Sequence, residues 1–466
     1  MKVPTTPPND HEVMRDLLES ADRREQLLRV FQYSARAGAA EAGRYRHWHT
    51  FRQIELPEGI PHEQAWAAIK MARRSLYEPL PFRDSRGRQF VIATPAPALA
   101  MLHRCDLQAG GTLLSDASEL SPGQAERFLV SGLMEEAVTS SQLEGASTTR
   151  RVGKDLLREG RAPRDRSERM IANNYAAIRH VRAAGAAPLT PAFIEELQSI
   201  LTEGTLEITD GGGRYRRDDE EIGVTDLLTG APLHTPPPAR ELPGRVELLC
   251  AFANEAPTEA TGAFLHPVAR AIILHFMIGY DHPFVDGNGR TARAVFYWAM
   301  KRAGYWLAEY ASISRILREA RGKYGRAFLY SETDEGDLTY FLLHQLRVFG
   351  LAVEQLREYV RQKLGIEQAI ERQLAEQVAR RLLLNDRQVA LVAHAMRHPD
   401  ARYSIESHSR SHHVSGEAAR QDLNALVAAG LLERRRAGRF LAFWPKSKLR
   451  ELLDDKATTK SLRTGG

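Results

Sequence analysis

The chain of 466 residues is long enough for two or three domains, and 64 basic against 59 acidic residues give a net charge of +5. The two cysteines, Cys105 and Cys250, are too few for a disulfide framework, which predicts a reducing, cytoplasmic setting. The polar, proline-rich segment 1–9 is not typical of a secretory signal, and the longest apolar run, 271–278, is too short to cross a bilayer. We therefore expect no membrane partner.

The first 117 residues predict an α-rich N-terminal region. A helix is expected over 10–32, an amphipathic helix over 61–76, and a turn that enters a short strand over 82–92. No residue pattern in this region indicates a particular chemistry.

Segment 136–145 has the pattern of a helix end with two polar groups on one face. Ser140 and Glu144 are four residues apart, and Gly145 suits a helix terminus. Taken alone, the pattern fits either a functional carboxylate or an ordinary surface acid on an amphipathic helix.

The middle of the chain is helical by period, with one exception. Thr190 and Pro191 predict a capped helix start, followed by an apolar stripe at Phe193, Leu197 and Leu201. Between 211 and 238 the pattern changes to short extended stretches around Thr229-Gly230, which predicts a β-hairpin.

Segment 282–293, with the letters HPFVDGNGRTAR, is the most informative part of the chain. It follows an apolar helix predicted over 268–278 and opens a second helix predicted over 291–302, so its glycines lie at a helix N-terminus. Free backbone N–H groups and the helix dipole favour an anion there. A base, an acid and two arginines in one loop indicate phosphate transfer; the alternative is a polar turn between two core helices.

This segment resembles the signature of the Fic family, His-x-Phe-x-Asp/Glu-Gly-Asn-Gly-Arg-x-x-Arg, and matches it at every specified position. The resemblance implies a mainly α fold: a Fic-type helical core with a β-hairpin flap, an N-terminal α-rich region and a C-terminal winged helix-turn-helix. It also implies transfer of AMP from ATP, with Mg²⁺, to a hydroxyl of a protein.

The resemblance assigns a role to each residue of the loop. His282 would deprotonate the target Ser, Thr or Tyr, Phe284 would be a buried structural anchor, and Asp286 would bind Mg²⁺. The nucleotide-binding residues would be Gly287, Asn288 and Gly289 as an anion hole, with Arg290 and Arg293 on the β- and γ-phosphates.

Segment 134–145 is similar to the inhibitory helix of Fic enzymes, Ser/Thr-x-x-x-Glu-Gly/Asn, here Ser140, Glu144 and Gly145. The resemblance implies that Glu144 pairs with Arg293 and takes the place of the γ-phosphate.

The hairpin at 211–238 corresponds to the flap that, in Fic proteins, holds the target protein as an added strand. The adenine site departs from the family: of a usual Tyr-Tyr pair only Tyr324 is present, and Glu332 stands near a usual asparagine. Tyr324 is interpreted as nucleotide-binding, with a core or surface tyrosine as the alternative.

The C-terminal part resembles a winged helix-turn-helix, with helices at 386–397, 405–410 and 416–429 and a basic hairpin at 431–444. Residues 401–450 hold ten lysines and arginines against four acidic residues, and Arg420 and Asn424 are expected to face outward. DNA is therefore a candidate partner, as is a protein or a second copy of the chain, since such modules also dock and dimerise.

The predicted domains are 1–117 (N-terminal region), 118–365 (Fic domain with its inhibitory helix), 366–384 (helical connector), 385–450 (winged helix-like domain) and 451–466 (flexible tail). The favoured function is a self-inhibited protein adenylyltransferase. The alternatives are a DNA-binding regulator whose Fic body senses nucleotide, or a Fic relative that removes AMP or uses another nucleotide donor.

Overall fold

The computed structural model describes residues 2–19, 23–57, 59–110, 122–208, 210–220, 222–225, 230, 232–255, 264–397, 401–412, 414–437 and 440–446. The described chain is mainly α-helical, with short two-stranded antiparallel sheets. It divides into two compact units, one formed by Met1–Asp116 with Glu126–Leu356 and the other by Ala117–Ala125 with Arg357–Gly466.

The N-terminal elements combine helices with one hairpin. In chain order they are α1 (Asp10–Glu19), α2 (Arg24–Ala37), α3 (Trp48–Phe51), α4 (His62–Arg74), β1 (Glu78–Arg83), β2 (Gln89–Ile92) and α5 (Ala96–Ala109). The single helix expected over 10–32 is wrong in its extent, because α1 ends at Glu19 and α2 begins at Arg24.

The middle of the chain carries the longest run of helices. In order the elements are α6 (Pro122–Leu143), α7 (Arg150–Glu159), α8 (Arg166–Ala184), α9 (Pro191–Thr202), β3 (Val224–Thr225), β4 (Pro232–His234), α10 (Leu242–Asn254), α11 (Pro267–Asp281), α12 (Asn288–Arg302), α13 (Ile313–Glu319), α14 (Arg321–Thr333) and α15 (Thr339–Leu382).

The first unit is built around α11 and α12. Helix α11 is apolar on nearly every face and buries all of its residues from Ala271 to Ile278, as expected for a helix enclosed by others. Helices α8 and α9 pack on α12. Helix α9 begins as predicted: the Thr190 hydroxyl accepts a hydrogen bond from the Phe193 N–H at 3.1 Å, and Pro191 occupies the first turn.

The N-terminal region belongs to the same compact unit as the helical body. Lys70 of α4 forms an ion pair with Asp334, after α14, at 2.8 Å, and both side chains are only 1% exposed. The guanidinium of Arg73 donates to the Tyr340 hydroxyl at 2.6 Å, which donates in turn to Asp334 at 2.6 Å. This buried network joins α4 to the start of α15.

The described part of the second unit contains the end of α15, three short helices and a hairpin: α16 (Asp386–Arg397), α17 (Ile405–His412), α18 (Gly416–Ala428), β5 (Leu432–Ala437) and β6 (Phe440–Pro445). The predicted order of helices and hairpin is present. Its apolar core includes Leu391, Val392, Leu423, Leu426 and Phe443. Ser415 caps α18 by accepting from the Ala418 N–H at 3.2 Å.

Some expectations differ from the structure or fall outside it. The helical connector expected over 366–384 falls on the last part of α15, which runs continuously from Thr339 to Leu382. The hairpin turn at Thr229 and the tail 451–466 lie outside the described residues. In the described part of the chain, no helix is both long enough and apolar enough to span a membrane.

Candidate active site

His282 lies at the C-terminal end of α11, in the left-handed region with a φ of 46°. Its Nδ1 lies 3.1 Å from the Gly279 carbonyl oxygen, and because a carbonyl only accepts, Nδ1 carries the proton. Among the residues that the structure describes, Nε2 has no hydrogen-bond partner, so its lone pair is available. Burial lowers the pKa of His282, which keeps the ring neutral near pH 7.

The loop after His282 is closed by Phe284 and Asn288. The Phe284 ring is fully buried and lies 5.8 Å from the Tyr215 ring, centroid to centroid. The Asn288 side chain accepts from the Phe284 N–H at 2.9 Å and donates to the Phe284 carbonyl at 2.7 Å. The amide of Asn288 therefore stabilises the loop.

Arg216 holds the same loop from the other side and was not predicted. Its backbone N–H donates to the Pro283 carbonyl at 2.8 Å, and its Nε donates to the His282 carbonyl at 2.9 Å. A second guanidinium nitrogen donates to the Asp281 carbonyl at 3.4 Å. Arg216 thus binds the carbonyls at the end of α11, where helix carbonyls lack intrahelical partners.

The N-terminus of α12 presents two buried arginines. Gly287 has a φ of 84° and precedes α12, and Arg290 and Arg293 are each 1% exposed. Within the described chain, Nε of Arg290 and Nη1 of Arg293 are buried without a hydrogen-bond partner. Unpaired cationic donors beside a helix N-terminus are the features of an anion-binding site.

Glu144 and Ser140 contact Arg293. The Glu144 carboxylate lies 3.0 Å from Nη2 of Arg293, and the Ser140 hydroxyl accepts from its Nε at 2.9 Å. Burial opposes the charge on both partners, but their attraction lowers the pKa of Glu144 and raises that of Arg293. A Cβ built on Gly289 would overlap the Glu144 carboxylate, so this contact needs a glycine. Gly145, with a φ of 102°, ends the segment.

Helix α6, which leads into Glu144, is fixed by a buried carboxylate that sequence analysis did not single out. Glu136 accepts from the Ser312 hydroxyl at 2.7 Å, and from the Ser314 hydroxyl and N–H at 2.5 and 3.1 Å. These donors lie at the start of α13. Helix α6 is therefore tied to the body one helical turn before Ser140.

Tyr324 lies near the buried arginine and forms a hydrogen bond with His275. Its hydroxyl is 2.9 Å from Nε2 of His275, a fully buried residue of α11. Burial lowers the pKa of His275 to about 3, so His275 is neutral, and burial raises the pKa of Tyr324 to about 12. The structure places Tyr324 in the electrostatic surroundings of Arg293 and Glu144, whereas no sequence pattern distinguished His275 from a core residue.

Asp286 supplies a single, accessible carboxylate. Its side chain is 44% exposed, and its oxygens accept from the Gly287 N–H at 2.6 Å and from Arg290 at 3.4 Å. No cluster of three or more metal-binding side chains occurs among the described residues. The donor set fits Mg²⁺, which commonly takes one or two carboxylates and completes its shell with phosphate oxygens and water.

The β3–β4 hairpin, called the flap below, is fixed to the end of α11 by His234. Nε2 of His234 lies 2.7 Å from the Tyr280 carbonyl oxygen, and Nδ1 lies 2.7 Å from a carboxylate oxygen of Glu332 on α14. Sequence analysis placed Glu332 near the adenine site; the structure shows it bound to the flap. The flap and the His282 loop therefore meet at the same helix end.

Comparison with known proteins gives one consistent result. A family model described as Fic/DOC family matches residues 188–300. A 94-residue segment is 35% identical to the Protein adenylyltransferase Fic of Drosophila melanogaster; it makes up 20% of this chain and only 16% of that relative's length.

Solved structures similar to this chain include a Fic family protein from Desulfovibrio desulfuricans G20, with 19% identity, a TM-score of 0.45, and coverage of 76% of this chain and 97% of that one. Fic-1 (aa134 - 508) from C. elegans has 17% identity and a TM-score of 0.46, covering 74% of this chain and 88% of that one.

Proposed function

We propose that this chain is a protein adenylyltransferase, because residues 188–300 match a family model described as Fic/DOC family. Its substrates are ATP with Mg²⁺ and a Ser, Thr or Tyr hydroxyl of a target protein. The observation that carries the proposal is the position of two buried arginines with unpaired donors beside a histidine with a free Nε2. The alternative, a regulator that only senses nucleotide, needs the anion site but does not need His282 as a base.

In the proposed reaction, Nε2 of His282 takes the proton of the target hydroxyl. The hydroxyl oxygen then bonds to the α-phosphorus of ATP, the bond from that phosphorus to the bridging oxygen breaks, and pyrophosphate leaves. Arg290, Arg293 and the N-terminus of α12 neutralise the phosphate charge. Mg²⁺, held by Asp286, would supply further charge neutralisation. The target segment docks on the flap as an added strand.

Glu144 is proposed to inhibit this reaction. Its carboxylate is bound to Arg293 at 3.0 Å, and that guanidinium is the one assigned to the γ-phosphate. A nucleotide that binds while this ion pair is intact lies in an unproductive position. Removing the carboxylate leaves the buried guanidinium of Arg293 free to bind the γ-phosphate of ATP.

The test is self-labelling of the Glu144→Gly variant with Mg²⁺ and ATP labelled on either the α- or the γ-phosphate. We expect label from the α-phosphate only, more than in the wild-type chain, and none in the Glu144→Gly/His282→Ala variant. Label from the γ-phosphate only would mean a kinase-like relative. No label from either would favour another nucleotide donor, and equal labelling of wild type and variant would contradict inhibition by Glu144.

The second unit supports a second candidate function, DNA binding. On α18, Arg420, Gln421 and Asn424 are exposed, and these are side-chain types that read base edges. Arg434 and Arg435 on β5 are also exposed, where a basic hairpin contacts phosphates. Asp422 does not oppose this charge at the surface, because it is buried and paired with Arg387 at 2.8 Å.

Fluorescence anisotropy with a labelled DNA duplex tests this candidate. We expect salt-dependent binding that weakens in Arg420→Ala and whose salt slope falls by about one unit in Arg434→Ala. Arg151→Ala, a change at a 92% exposed arginine of the first unit, is the control and leaves binding unchanged. Absence of binding at moderate salt would remove this candidate without affecting the adenylyltransferase proposal.

A further inference from the structure

The C-terminal end of α11 is closed by two basic side chains from the segment that contains the flap. The last carbonyls of a helix have no intrahelical partner and carry the negative end of the dipole. Here the Tyr280 carbonyl faces His234 at 2.7 Å, and the His282 carbonyl accepts from Arg216 at 2.9 Å. Arg216 also donates to the Pro237 carbonyl just after the flap. The flap and the base are thus held by one set of hydrogen bonds.

The partners of His234 determine its protonation. The Tyr280 carbonyl can only accept, which requires a proton on Nε2. An ionised Glu332 can only accept, which requires a proton on Nδ1. With both contacts at 2.7 Å, His234 satisfies both partners as an imidazolium ion.

We propose that His234 is a positioning residue. It is held as an imidazolium ion between Glu332 and the Tyr280 carbonyl, and it thereby fixes the flap to α11 at a point two residues before the catalytic His282. Its effect on AMP transfer rests on the proposed function, but its protonation and its contacts do not. Loss of the charge at alkaline pH releases one of the two contacts and loosens the flap.

The charged groups around His234 agree with this assignment. Burial opposes its charge, but Glu332 on α14, the Tyr280 carbonyl and Asp281 on α11 all favour it, and the net effect raises the pKa of His234. His282, another titratable group at this helix end, has a lowered pKa, to which burial contributes most and the charge of His234 adds. One histidine is therefore kept charged and its neighbour neutral.

The first test is an NMR titration of the full chain labelled at histidine Cε1, with the His234 resonance assigned by its loss in His234→Gln. We expect its chemical shift to keep the imidazolium value at pH values above the ordinary histidine pKa of about 6.5. In Glu332→Gln the midpoint should fall by about one pH unit or more, because the amide keeps a hydrogen bond but removes the charge. A neutral His234 at about pH 6 in the wild-type chain would overturn the proposal.

Glu196→Gln is the matched control, because Glu196 pairs with another histidine, His180, at 3.3 Å within the same unit. It should leave the His234 midpoint in place. An equal shift in both variants would mean a general charge effect and would overturn the specific pairing.

The second test adds Glu332→Gln to the Glu144→Gly variant and measures self-labelling and the Kd for ATP. We expect labelling to fall about tenfold, by misplacement of the flap, with the Kd unchanged. In the Glu144→Gly parent, labelling should also decline at alkaline pH, and the Glu332→Gln variant should lose this dependence. A weaker Kd would instead make Glu332 a nucleotide contact and overturn the positioning role. If the parent itself does not label, the proposed function fails, and the NMR titration decides the protonation of His234 alone.

Discussion

At the scale of single residues, the hydrogen bond from Nδ1 of His282 to Gly279 decides which ring nitrogen can act as the base. The same ring is buried, and burial lowers its pKa. A histidine is a base only when neutral, so a lowered pKa extends its activity toward acid. The position of His282 at the end of α11 therefore determines both its hydrogen bond to Gly279 and the neutral ring that can accept a proton.

The pH dependence of transfer follows from this lowered pKa. In the Glu144→Gly variant, we expect labelling to persist as pH falls through the ordinary histidine pKa of about 6.5 and to decline only below it. Removing Glu144 lowers the pKa of His282 further, because its carboxylate favours the charged ring. Initial rates across the acid range are the measurement, and Glu144→Gly/His282→Ala is the control. An acid limb above the ordinary value would contradict the assignment.

Phe284 is expected to act through packing alone. Phe284→Asp places an unpaired carboxylate at a fully buried position, which should lower the free energy of unfolding by about 3–5 kcal/mol. Phe284→Leu, which keeps an apolar side chain, should lower it by only about 1 kcal/mol. Urea unfolding of both variants is the measurement. A Phe284→Asp chain as stable as wild type would show that this position is not an anchor.

At the scale of the elements, the loop and the two helices around it were predictable, because their signals are local. Apolar periodicity over 268–278, the glycines of the loop and the helix expected over 291–302 predict α11, the turn and α12. The contacts of Arg216 and His234 were not predictable, since their partners at the end of α11 are 66 and 46 residues away along the chain. The assignment of Asn288 to the anion hole stays a prediction, and the closure of the loop by its side chain was not predicted.

Helix α6 offers a test of how an element controls the site. Glu136→Ala leaves the Ser314 N–H buried without its partner, which should lower the free energy of unfolding by about 1–3 kcal/mol and loosen the helix before Glu144. We therefore expect partial activation of labelling. Glu135→Gln, which weakens pairs with Arg150 and Lys154 instead, is the control on the same helix. Full inhibition in Glu136→Ala would show that Glu144 needs no support from this contact.

At the scale of the whole molecule, the sequence predicts an N-terminal region over 1–117 to which no role is assigned. The structure places residues 1–116 in one compact unit with 126–356. One contact that joins these stretches is the pairing of Lys70 with Asp334, 264 residues apart, which no local pattern indicates. The predicted boundary at 365 likewise falls inside the continuous helix α15.

The buried pair of Lys70 and Asp334 should be important for stability. Asp334→Ala removes the buried partner of the Lys70 ammonium and leaves it only the half-exposed Glu335, at 3.3 Å. The change should cost about 3–5 kcal/mol of unfolding free energy, measured in urea. The Lys70→Met/Asp334→Leu chain, which removes both charges, should lose much less.

The stabilisation by the Lys70–Asp334 pair also depends on pH. Burial opposes ionisation, but Lys70 and Arg73 hold the pKa of Asp334 below its ordinary value. The stabilisation should therefore be present above the ordinary carboxylate pKa and be lost as pH falls through the lowered one. Equal losses of unfolding free energy in Asp334→Ala and in the Lys70→Met/Asp334→Leu chain would mean that the lost side-chain volume, rather than the unpaired charge, dominates.

The overlap between Glu144 and the space beside Gly289 gives the proposed inhibition a particular character. The carboxylate occupies the place of a side chain that position 289 lacks, so it behaves as a ligand tethered to its own receptor. A tethered ligand has a fixed effective concentration, which dilution of the protein does not change. The degree of inhibition should therefore not depend on the protein concentration. Raising the ATP concentration should relieve inhibition only as far as ATP competes with this fixed effective concentration of carboxylate.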